Sequence, residues 1–244
     1  INRSSHETSC TVPFLFISRL MKGSLFIIIG TPDSTRRSTL SHTISEKEEI
    51  PAPLFLLPQE LELKELPGSK WKWKENEFEL QIPPDLNTEE FFLFFSNKIG
   101  LSEQIEGLLS LIEQNENLTL QRIITFINSK YLMDLNDNLQ NWLDACAHFS
   151  DAFCFSNRLN ENSRFLSQIT DRYKDMRYPL ETFILGNKKL PPLDSILAPI
   201  SKRMTHIFEP QELLEPEDSP ENDLFISRQP NGKRTNRIPQ PFKT

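Results

Sequence analysis

Runs of consecutive apolar residues recur along the chain and alternate with stretches of helical periodicity. Residues 25–29 read LFIII and residues 90–96 read EFFLFFS, as expected of strands buried on both faces of a sheet. The same two patterns repeat along the chain. They predict further strands at 122–128, 151–156 and 180–186, and helices at 38–49, 101–114, 135–149, 161–176 and 192–208.

This alternation also predicts how the layers are arranged. Parallel strands need a crossover connection, usually a helix, so we expect an α/β three-layer sandwich with a mostly parallel sheet. In such sheets, ligands bind outside the carboxyl ends of the strands. The loops of functional interest therefore begin at Gly30, Asn97, Asn128 and Asn157.

A small β-hairpin insertion is predicted at residues 70–83, KWKWKENEFELQIP, where apolar and polar residues alternate strictly. Trp71 and Trp73 share one face of this hairpin. Hairpin tryptophans more often pack on their own domain, and the alternative is an interface for another protein. Tryptophans can stack on the bases of single-stranded nucleic acid, and the lysines between them would suit its phosphates. The net negative charge of the chain argues against that partner.

The two ends of the chain differ from the part between them. Residues 1–20 precede Met21, which stands directly before the first apolar run, so we expect a non-native or disordered leader. The alternative is an additional N-terminal strand or helix. Residues 21–208 form the predicted domain. Residues 209–244 are rich in Pro, Glu, Asp and Asn and change from acidic to basic, which predicts a disordered tail or a docking segment.

Composition narrows the classes of function. The formal net charge of −7 argues against nucleic acid and against a membrane surface as partners. The three cysteines and four histidines show no metal-ligand spacing, so no metal site is expected. An odd, unpaired set of cysteines favours a reducing compartment, and we expect a cytoplasmic protein.

The loop after the first strand carries the main candidate chemistry. Residues 26–40 read FIIIGTPDSTRRSTL, and the phosphate-loop pattern GxxxxGK[ST] can be aligned on them from Gly30. Thr35 then stands at the second glycine, Arg36 at the lysine, and Arg37 at the hydroxyl residue that holds Mg²⁺. Arg36 can pair with a phosphate, but Arg37 cannot ligate a metal, and Asp33 adds a negative charge. The candidate nucleotide-binding residues are Gly30, Ser34, Thr35, Arg36, Arg37 and Ser38.

Three further loops carry degenerate motifs in a fixed order. The sequence NKIGL spans residues 97–101, the strand IITFIN ends at Asn128, and the next strand runs into the sequence NRLN at 157–160. With these four loops, the chain resembles the CobW-type P-loop GTPases over about residues 23–200. That family includes cobalamin-related proteins and metal-insertion chaperones. The resemblance implies a P-loop NTPase-like fold and a site for a guanine nucleotide with Mg²⁺.

The resemblance also locates where this chain departs from the family. Asn97 stands at the family's acidic residue near Mg²⁺, and an amide is a poor ligand for a hard dication. Asn160 stands at the aspartate that reads guanine, and an amide offers a single acceptor oxygen. The cysteine-rich metal motif and the separate C-terminal domain have no counterpart. We therefore expect a vestigial metal or switch loop with Asn97 and Gly100, and a vestigial base-recognition loop with Asn157, Arg158 and Asn160.

These departures favour a pseudo-GTPase, in which a P-loop fold serves as a binding or interaction module. No cofactor follows firmly, and no catalytic residue is assigned. The first alternative is a weakly active nucleotide-binding protein, in which Arg36 and the hydroxyls of Ser34 and Ser38 hold a guanine nucleotide weakly. The second alternative is an unrelated α/β scaffold that binds another protein through Trp71 and Trp73 or through the tail.

Overall fold

A computed structural model describes most of the chain and contains one eight-stranded sheet. The described residues are 21–45, 52–62, 68–82, 88–186 and 191–243. The expected leader, residues 1–20, lies outside them, as does the end of the first predicted helix at 46–49. Among the described residues, no helix is both long and apolar enough to cross a lipid bilayer.

The strands and helices follow one another in the predicted alternation. The strands are β1 Gly23–Gly30, β2 Leu54–Pro58, β3 Gly68–Lys74, β4 Glu77–Leu80, β5 Glu90–Phe94, β6 Leu118–Asn128, β7 Ala152–Ser156 and β8 Glu181–Ile184. The α-helices are α1 Arg36–Ser45, α2 Leu101–Glu113, α3 Asp137–Phe149, α4 Ser163–Asp175 and α5 Leu193–Ile196. Short 3-10 turns lie at Ser129–Asp134, Gln211–Leu213 and Pro216–Asp218.

The strand order across the sheet is β4-β3-β2-β5-β1-β6-β7-β8. Every strand pair in this described sheet is parallel except the β3–β4 hairpin. The carboxyl ends of β1, β5, β6 and β7 therefore lie side by side at one edge. Strand β2 was not among the predicted elements and inserts between the hairpin and β5.

Both faces of the sheet are covered, which accounts for the continuous apolar runs. In β1, Leu25, Ile27 and Ile29 face one hydrophobic cluster, which contains buried residues of α2, α3 and α4. Phe26 and Ile28 face the opposite cluster, which contains buried residues of α1 and α5. Helices thus cover the two faces, and the predicted α/β three-layer sandwich is confirmed.

The predicted hairpin forms, with Trp73 opposite Phe78 and the turn residues Glu75 and Asn76 at positive φ. Its tryptophans pack on their own domain. Trp71 is 1% exposed, and its indole Nε1 donates a hydrogen bond to the Phe94 carbonyl at 3.0 Å. Trp73 is half-buried beside α2. Trp71 is therefore packed inside the domain, and of the two tryptophans only Trp73 keeps exposed surface.

The closing helix predicted at 192–208 is shorter in the structure, where α5 ends at Ile196. Pro199 cannot donate a backbone hydrogen bond and disfavours a helical conformation at Ala198. The chain beyond it is held by the buried carboxylate of Asp151. This carboxylate accepts from the backbone N–H of Lys202 at 2.6 Å and from that of Arg203 at 3.1 Å.

The C-terminal segment also differs from its prediction. Composition predicts disorder from residue 209 onward, whereas the structure packs this segment against the domain. Ile226 and Ile238 lie in the larger core cluster, and Asp223 is buried against His148. These anchoring residues are few and far apart in sequence, so the average amino-acid composition of the segment does not reveal them.

Candidate functional site

The loops after β1, β6 and β7 meet at the carboxyl edge of the sheet. The side-chain amide of Asn128 donates to the Asp33 carbonyl at 3.3 Å, and that of Asn157 donates to the same oxygen at 3.4 Å. The backbone N–H of Asn128 donates to the Thr31 hydroxyl at 2.8 Å. These contacts connect the candidate phosphate loop to the ends of two neighbouring strands.

The backbone of the β1–α1 loop has the shape that glycines would adopt. At Gly30 a Cβ atom would lie 2.8 Å from the Ser34 hydroxyl and 3.0 Å from the Phe126 carbonyl oxygen, so glycine fits best there. Asp33 and Thr35 have φ angles of 52° and 58°, in the left-handed region. A β-branched residue is strained in that region. Thr35, aligned with the second glycine of the motif, therefore keeps that backbone conformation despite its side chain.

Arg36, aligned with the lysine of the motif, is 6% exposed. Its Nη1 donates to the Phe95 carbonyl at 3.4 Å, and its guanidinium carbon lies 5.7 Å from the centroid of the Phe94 ring. Burial lowers the pKa of Arg36 to about 10, the Glu60 carboxylate acts in the opposite direction, and Arg37 adds to the lowering. Arg36 therefore stays cationic at neutral pH, and Glu60 compensates part of its charge.

A cleft of about 700 Å³ lies over this loop and is lined by Thr31–Ser38, Glu60–Glu62 and Asn97. Two arginines and three carboxylates, those of Asp33, Glu60 and Glu62, contribute to the lining. Arg37 Nη1 donates to the Glu62 carbonyl at 2.5 Å. The cleft is thus close to charge-balanced, in contrast to the electropositive surface that a triphosphate favours.

The two serines of the loop differ in how their hydroxyls are used. Ser38 Oγ donates to the Thr35 carbonyl at 2.9 Å, a local contact within the first turn of α1. Ser34 is 2% exposed, and its hydroxyl has no hydrogen-bond partner among the described residues. Buried hydroxyls are usually paired, so the Ser34 hydroxyl is a group that a ligand oxygen would satisfy.

The loop after β5 is fixed by the buried side chain of Gln104. Its Oε1 accepts from the Ser96 N–H at 2.7 Å, and its Nε2 donates to the carbonyls of Ser96 at 2.9 Å and Ile99 at 3.0 Å. The Ser96 hydroxyl donates in turn to the Glu60 carboxylate. Asn97 lines the cleft from this loop. The signal for Gln104 was available in the sequence, because it is a polar residue on the apolar face of α2.

Gly100 ends this loop as the residue that precedes α2, where it has ordinary extended backbone angles. A Cβ atom at Gly100 would collide with the flexible Glu103 side chain and come within 2.8 Å of Gln240 Nε2. Both contacts are with the far ends of flexible side chains that can move aside, so packing alone does not require a glycine here.

The loop after β7 is shaped by Asn162, which the sequence reading did not single out. Asn162 Oδ1 accepts from the Leu159 N–H at 2.8 Å, and its Nδ2 donates to the Asn157 carbonyl at 2.9 Å. Asn157 points its amide to the phosphate loop, as described above. Arg158 and Asn160 are exposed, and Arg158 Nε donates to the Ser163 hydroxyl at 3.3 Å. The structure thus brings Asn157 into the site and leaves the other two at its rim.

The residues at the expected Mg²⁺ positions do not fit that ion. Arg37 is a cation that bonds to a backbone carbonyl, and Asn97 supplies an amide in place of a carboxylate. Within the described parts of the chain, no group of three or more His, Cys, Asp or Glu side chains could hold a metal ion. We therefore assign no step to Mg²⁺ in this cleft.

No protein-family model matches the chain, and no curated protein matches it in sequence. Among solved structures, the fold is similar to the Zn(II)-bound YjiA GTPase from E. coli, with a TM-score of 0.48 and 8% identity. A Zn(II)-bound triple mutant of YjiA GTPase gives the same TM-score with 9% identity. Each alignment covers 72% of this chain and 61% of the other, so the chain spans about three-fifths of the structures it matches. At this TM-score the likeness carries no argument about function.

Proposed function

We propose that this chain is a P-loop GTPase-like domain of the CobW type that has lost Mg²⁺-dependent nucleotide chemistry and acts as a binding or interaction module. The observation that carries the proposal is that both arginines of the loop bond to backbone carbonyls of the protein. Arg36 lies against the Phe95 carbonyl with Glu60 nearby, and Arg37 bonds to the Glu62 carbonyl. Both cations of the loop are therefore already used by the protein itself.

Phosphoryl transfer depends on positioning and on neutralising charge at the transferring group, chiefly by Mg²⁺ and a lysine. A triphosphate entering this cleft would meet the carboxylates of Asp33, Glu60 and Glu62 without a metal to bridge them. Like charges at close range in a partly desolvated site are unfavourable. The expected outcome is GTP hydrolysis at the background rate.

The loop after β5 supports the same proposal. A loop that switches with nucleotide state needs two accessible conformations. Here Gln104 holds Ser96 and Ile99 by three hydrogen bonds, and Ser96 is bonded to Glu60. A nucleotide-dependent movement of this loop would have to break these buried contacts, so we propose a fixed loop rather than a switch.

A second candidate is weak, metal-independent binding of a phosphate-bearing ligand. It is favoured by the Ser34 hydroxyl, which is buried beside the first turn of α1 and has no hydrogen-bond partner in the part of the chain that the structure describes. The amino-terminal end of a helix attracts anions, and Arg36 follows directly. On this hypothesis a guanine nucleotide would bind poorly and without base selectivity, because Asn160 lies exposed at the rim.

The deciding experiment is a GTPase assay together with calorimetric titration of GTP and ATP, each with and without Mg²⁺. We expect background hydrolysis, and any binding should be similar for the two nucleotides and unaffected by Mg²⁺. Mg²⁺-dependent turnover that Arg36→Ala abolishes would overturn the proposal.

Variants of the loop sharpen this test. If an anion binds at all, Arg36→Ala should remove binding and Arg37→Ala should change it little, with circular dichroism as the control for folding. The combined restoration Thr35→Gly, Arg36→Lys, Arg37→Thr and Asn97→Glu should introduce Mg²⁺-dependent binding if the cleft is a degraded phosphate site. Failure of a folded restored variant to bind, even when Glu60→Gln is added to remove the remaining carboxylate, would favour the unrelated α/β scaffold.

We also propose that the domain works in a reducing compartment, the cytoplasm. Cys146 and Cys154 are both buried and not in a disulfide. Burial raises the pKa of both thiols, so neither is poised as a nucleophile or a metal ligand. Their proposed role is packing in the core.

A further inference from the structure

The C-terminal arm, residues 219–243, lies on a face of the domain beside the candidate site, and residues 240–242 of the arm border a small cavity that Gly30, Ser96 and Asn97 also line. This face is built from α2, α3 and the Ser129–Asp134 turn. Arg228 and Arg234 of the arm contact Glu106 of α2, and Phe242 lies against the rings of Tyr131 and Trp142.

The arm is attached by side chains and carries its own local structure. Its described backbone hydrogen bonds run between its own residues, for example from the Thr235 N–H to the Ser227 carbonyl and from the Gln229 N–H to the Lys233 carbonyl. An isolated bridge pairs Arg228 with Arg234. The arm adds no strand to the sheet, so its removal would leave every strand pair intact. This is how a docked peptide is held, in contrast to a strand of the sheet.

The ionic half of the contact has specific geometry. Arg234 Nη1 and Nη2 donate to the two oxygens of Glu106 at 2.8 and 2.6 Å, and Nη1 also donates to the Ile226 carbonyl. Arg228 Nη2 reaches the same carboxylate at 2.9 Å. Burial alone would raise the pKa of Glu106, but the two arginines hold it below its ordinary value. Bidentate pairs of this kind are stronger and more selective than single contacts.

The apolar half gives the arm a defined end. The Phe242 ring lies 5.1 Å from the centroid of Tyr131 and 5.2 Å from that of Trp142, in edge-on geometry with both. Ile226 and Ile238 are 5% and 7% exposed. Along the arm, the arginine pair therefore contacts the acidic face of α2. Ile238 packs in the hydrophobic core cluster, and the Phe242 ring lies between two aromatic side chains.

The charges of the arm and of the whole chain are opposite. Residues 219–243 contain five basic and two acidic residues and so carry a net charge of +3, in a chain with a formal net charge of −7. We propose that the face of Glu106, Tyr131 and Trp142 is a peptide-binding groove for a basic segment that carries an aromatic residue a few positions after its arginines. Its occupant in this structure is the chain's own arm, which a partner protein carrying the same pattern displaces. The proposal rests on the interaction role proposed above, and its surface adjoins the candidate site at residues 240–242.

The test cuts the chain ahead of the arm, so that the arm is held only by its non-covalent contacts with the domain. A specific protease site is introduced into the full chain between residues 211 and 218, and the purified protein is nicked there. A fluorescein-labelled peptide of residues 221–244 is then added, and its anisotropy is measured. The nicked protein should take up the peptide, while the uncut chain should bind it far more weakly, because a tethered arm competes at high effective concentration.

Matched peptide variants identify the recognised chemistry. Arg234→Ala should weaken binding about tenfold, as should Phe242→Ala. Arg237→Ala is the control, because this arginine is exposed and makes no ion pair with the described residues, and it should bind like the unchanged peptide. Glu106→Gln in the domain should reproduce the loss. Equal effects of Arg234→Ala and Arg237→Ala would overturn the assignment and indicate charge attraction alone.

Two further outcomes count against the proposal. If the nicked protein takes up no labelled peptide, the arm is not exchangeable. If release of the arm at raised salt removes the cooperative thermal transition, the arm belongs to the core. Neither readout uses nucleotide or Mg²⁺, so a failure here is distinguishable from a failure of the pseudo-GTPase proposal.

Discussion

The stability of a Thr35→Gly variant would measure how closely the β1–α1 loop keeps the backbone shape of a phosphate loop. Thr35 is an exposed, β-branched residue with φ of 58° at the position of the motif's second glycine. Its structural contributions come from the backbone, because its carbonyl accepts from the Ser38 hydroxyl and from the Thr39 N–H, both at 2.9 Å. Glycine keeps these bonds, so Thr35→Gly should relieve strain without losing contacts.

The size of the effect follows from two opposing terms. Removing the Cβ of a residue in the left-handed region recovers about 1–2 kcal/mol of strain energy. The greater freedom of glycine in the unfolded chain removes about 0.5–1 kcal/mol of that gain. The net stabilisation expected for Thr35→Gly is therefore between about 0 and 1.5 kcal/mol, which raises Tm by at most about 6 °C for a chain of this length.

The assay is thermal unfolding by differential scanning calorimetry, with urea unfolding as a second measure of the free energy. Asp33→Gly is the matched control, because Asp33 has φ of 52° in the same loop but is not β-branched. Asp enters the left-handed region more readily than Thr, so its replacement should give the smaller gain. A Thr35→Gly variant that is less stable than the parent, or no more stable than Asp33→Gly, would refute the strain argument.

Three further predictions concern other parts of the fold. Asp151→Ala should destabilise the protein by about 3–5 kcal/mol in chemical denaturation, because it leaves the buried Arg203 guanidinium and three backbone N–H groups without their acceptor, and Asp151→Asn should lose less. Burial alone would raise the pKa of Asp223, but His148 holds this pKa below its ordinary value. The stabilisation by ionised Asp223 is therefore fully present above the ordinary pKa of an aspartate and is lost as pH falls through the lowered pKa. The difference in stability between the parent and Asp223→Asn should shrink at acidic pH. Gly30→Ala should destabilise by about 1–3 kcal/mol, since its Cβ would lie 3.0 Å from the Phe126 carbonyl oxygen, which the strand holds in place.

The layers of the fold could be predicted because their signal is local. A strand such as β1, buried on both faces, must be apolar at every position, and a covering helix such as α2 must be apolar on one side. Strand β2 was missed because its five residues are bounded by prolines and do not alternate. A short apolar run of this kind cannot be assigned from periodicity alone. The closing helix was overestimated because Pro199 interrupts an otherwise helical pattern.

The C-terminal arm shows a different limit of sequence reading. Its order in the structure depends on single contacts across large separations, such as Arg234 with Glu106 and Asp223 with His148. Composition averages these residues with the polar ones around them. The apolar residues at 224–227 were the visible signal, because a disordered segment has little reason to contain them.

In the candidate site, the aligned loop residues could be predicted, but the groups that determine their charge could not. Motif spacing leads directly from Gly30 to Arg36. It says nothing of Glu60, which follows β2 and reaches the site only because that strand lies next to β5. Glu60 partly compensates the charge of Arg36 and accepts from the Ser96 hydroxyl, so one carboxylate links the phosphate loop to the loop held by Gln104. A carboxylate in that position repels a phosphate and stabilises a buried arginine at the same time. The loss of phosphate chemistry proposed here therefore depends as much on Glu60 as on the residues that depart from the motif, and restoring the motif alone leaves this charge in the cleft.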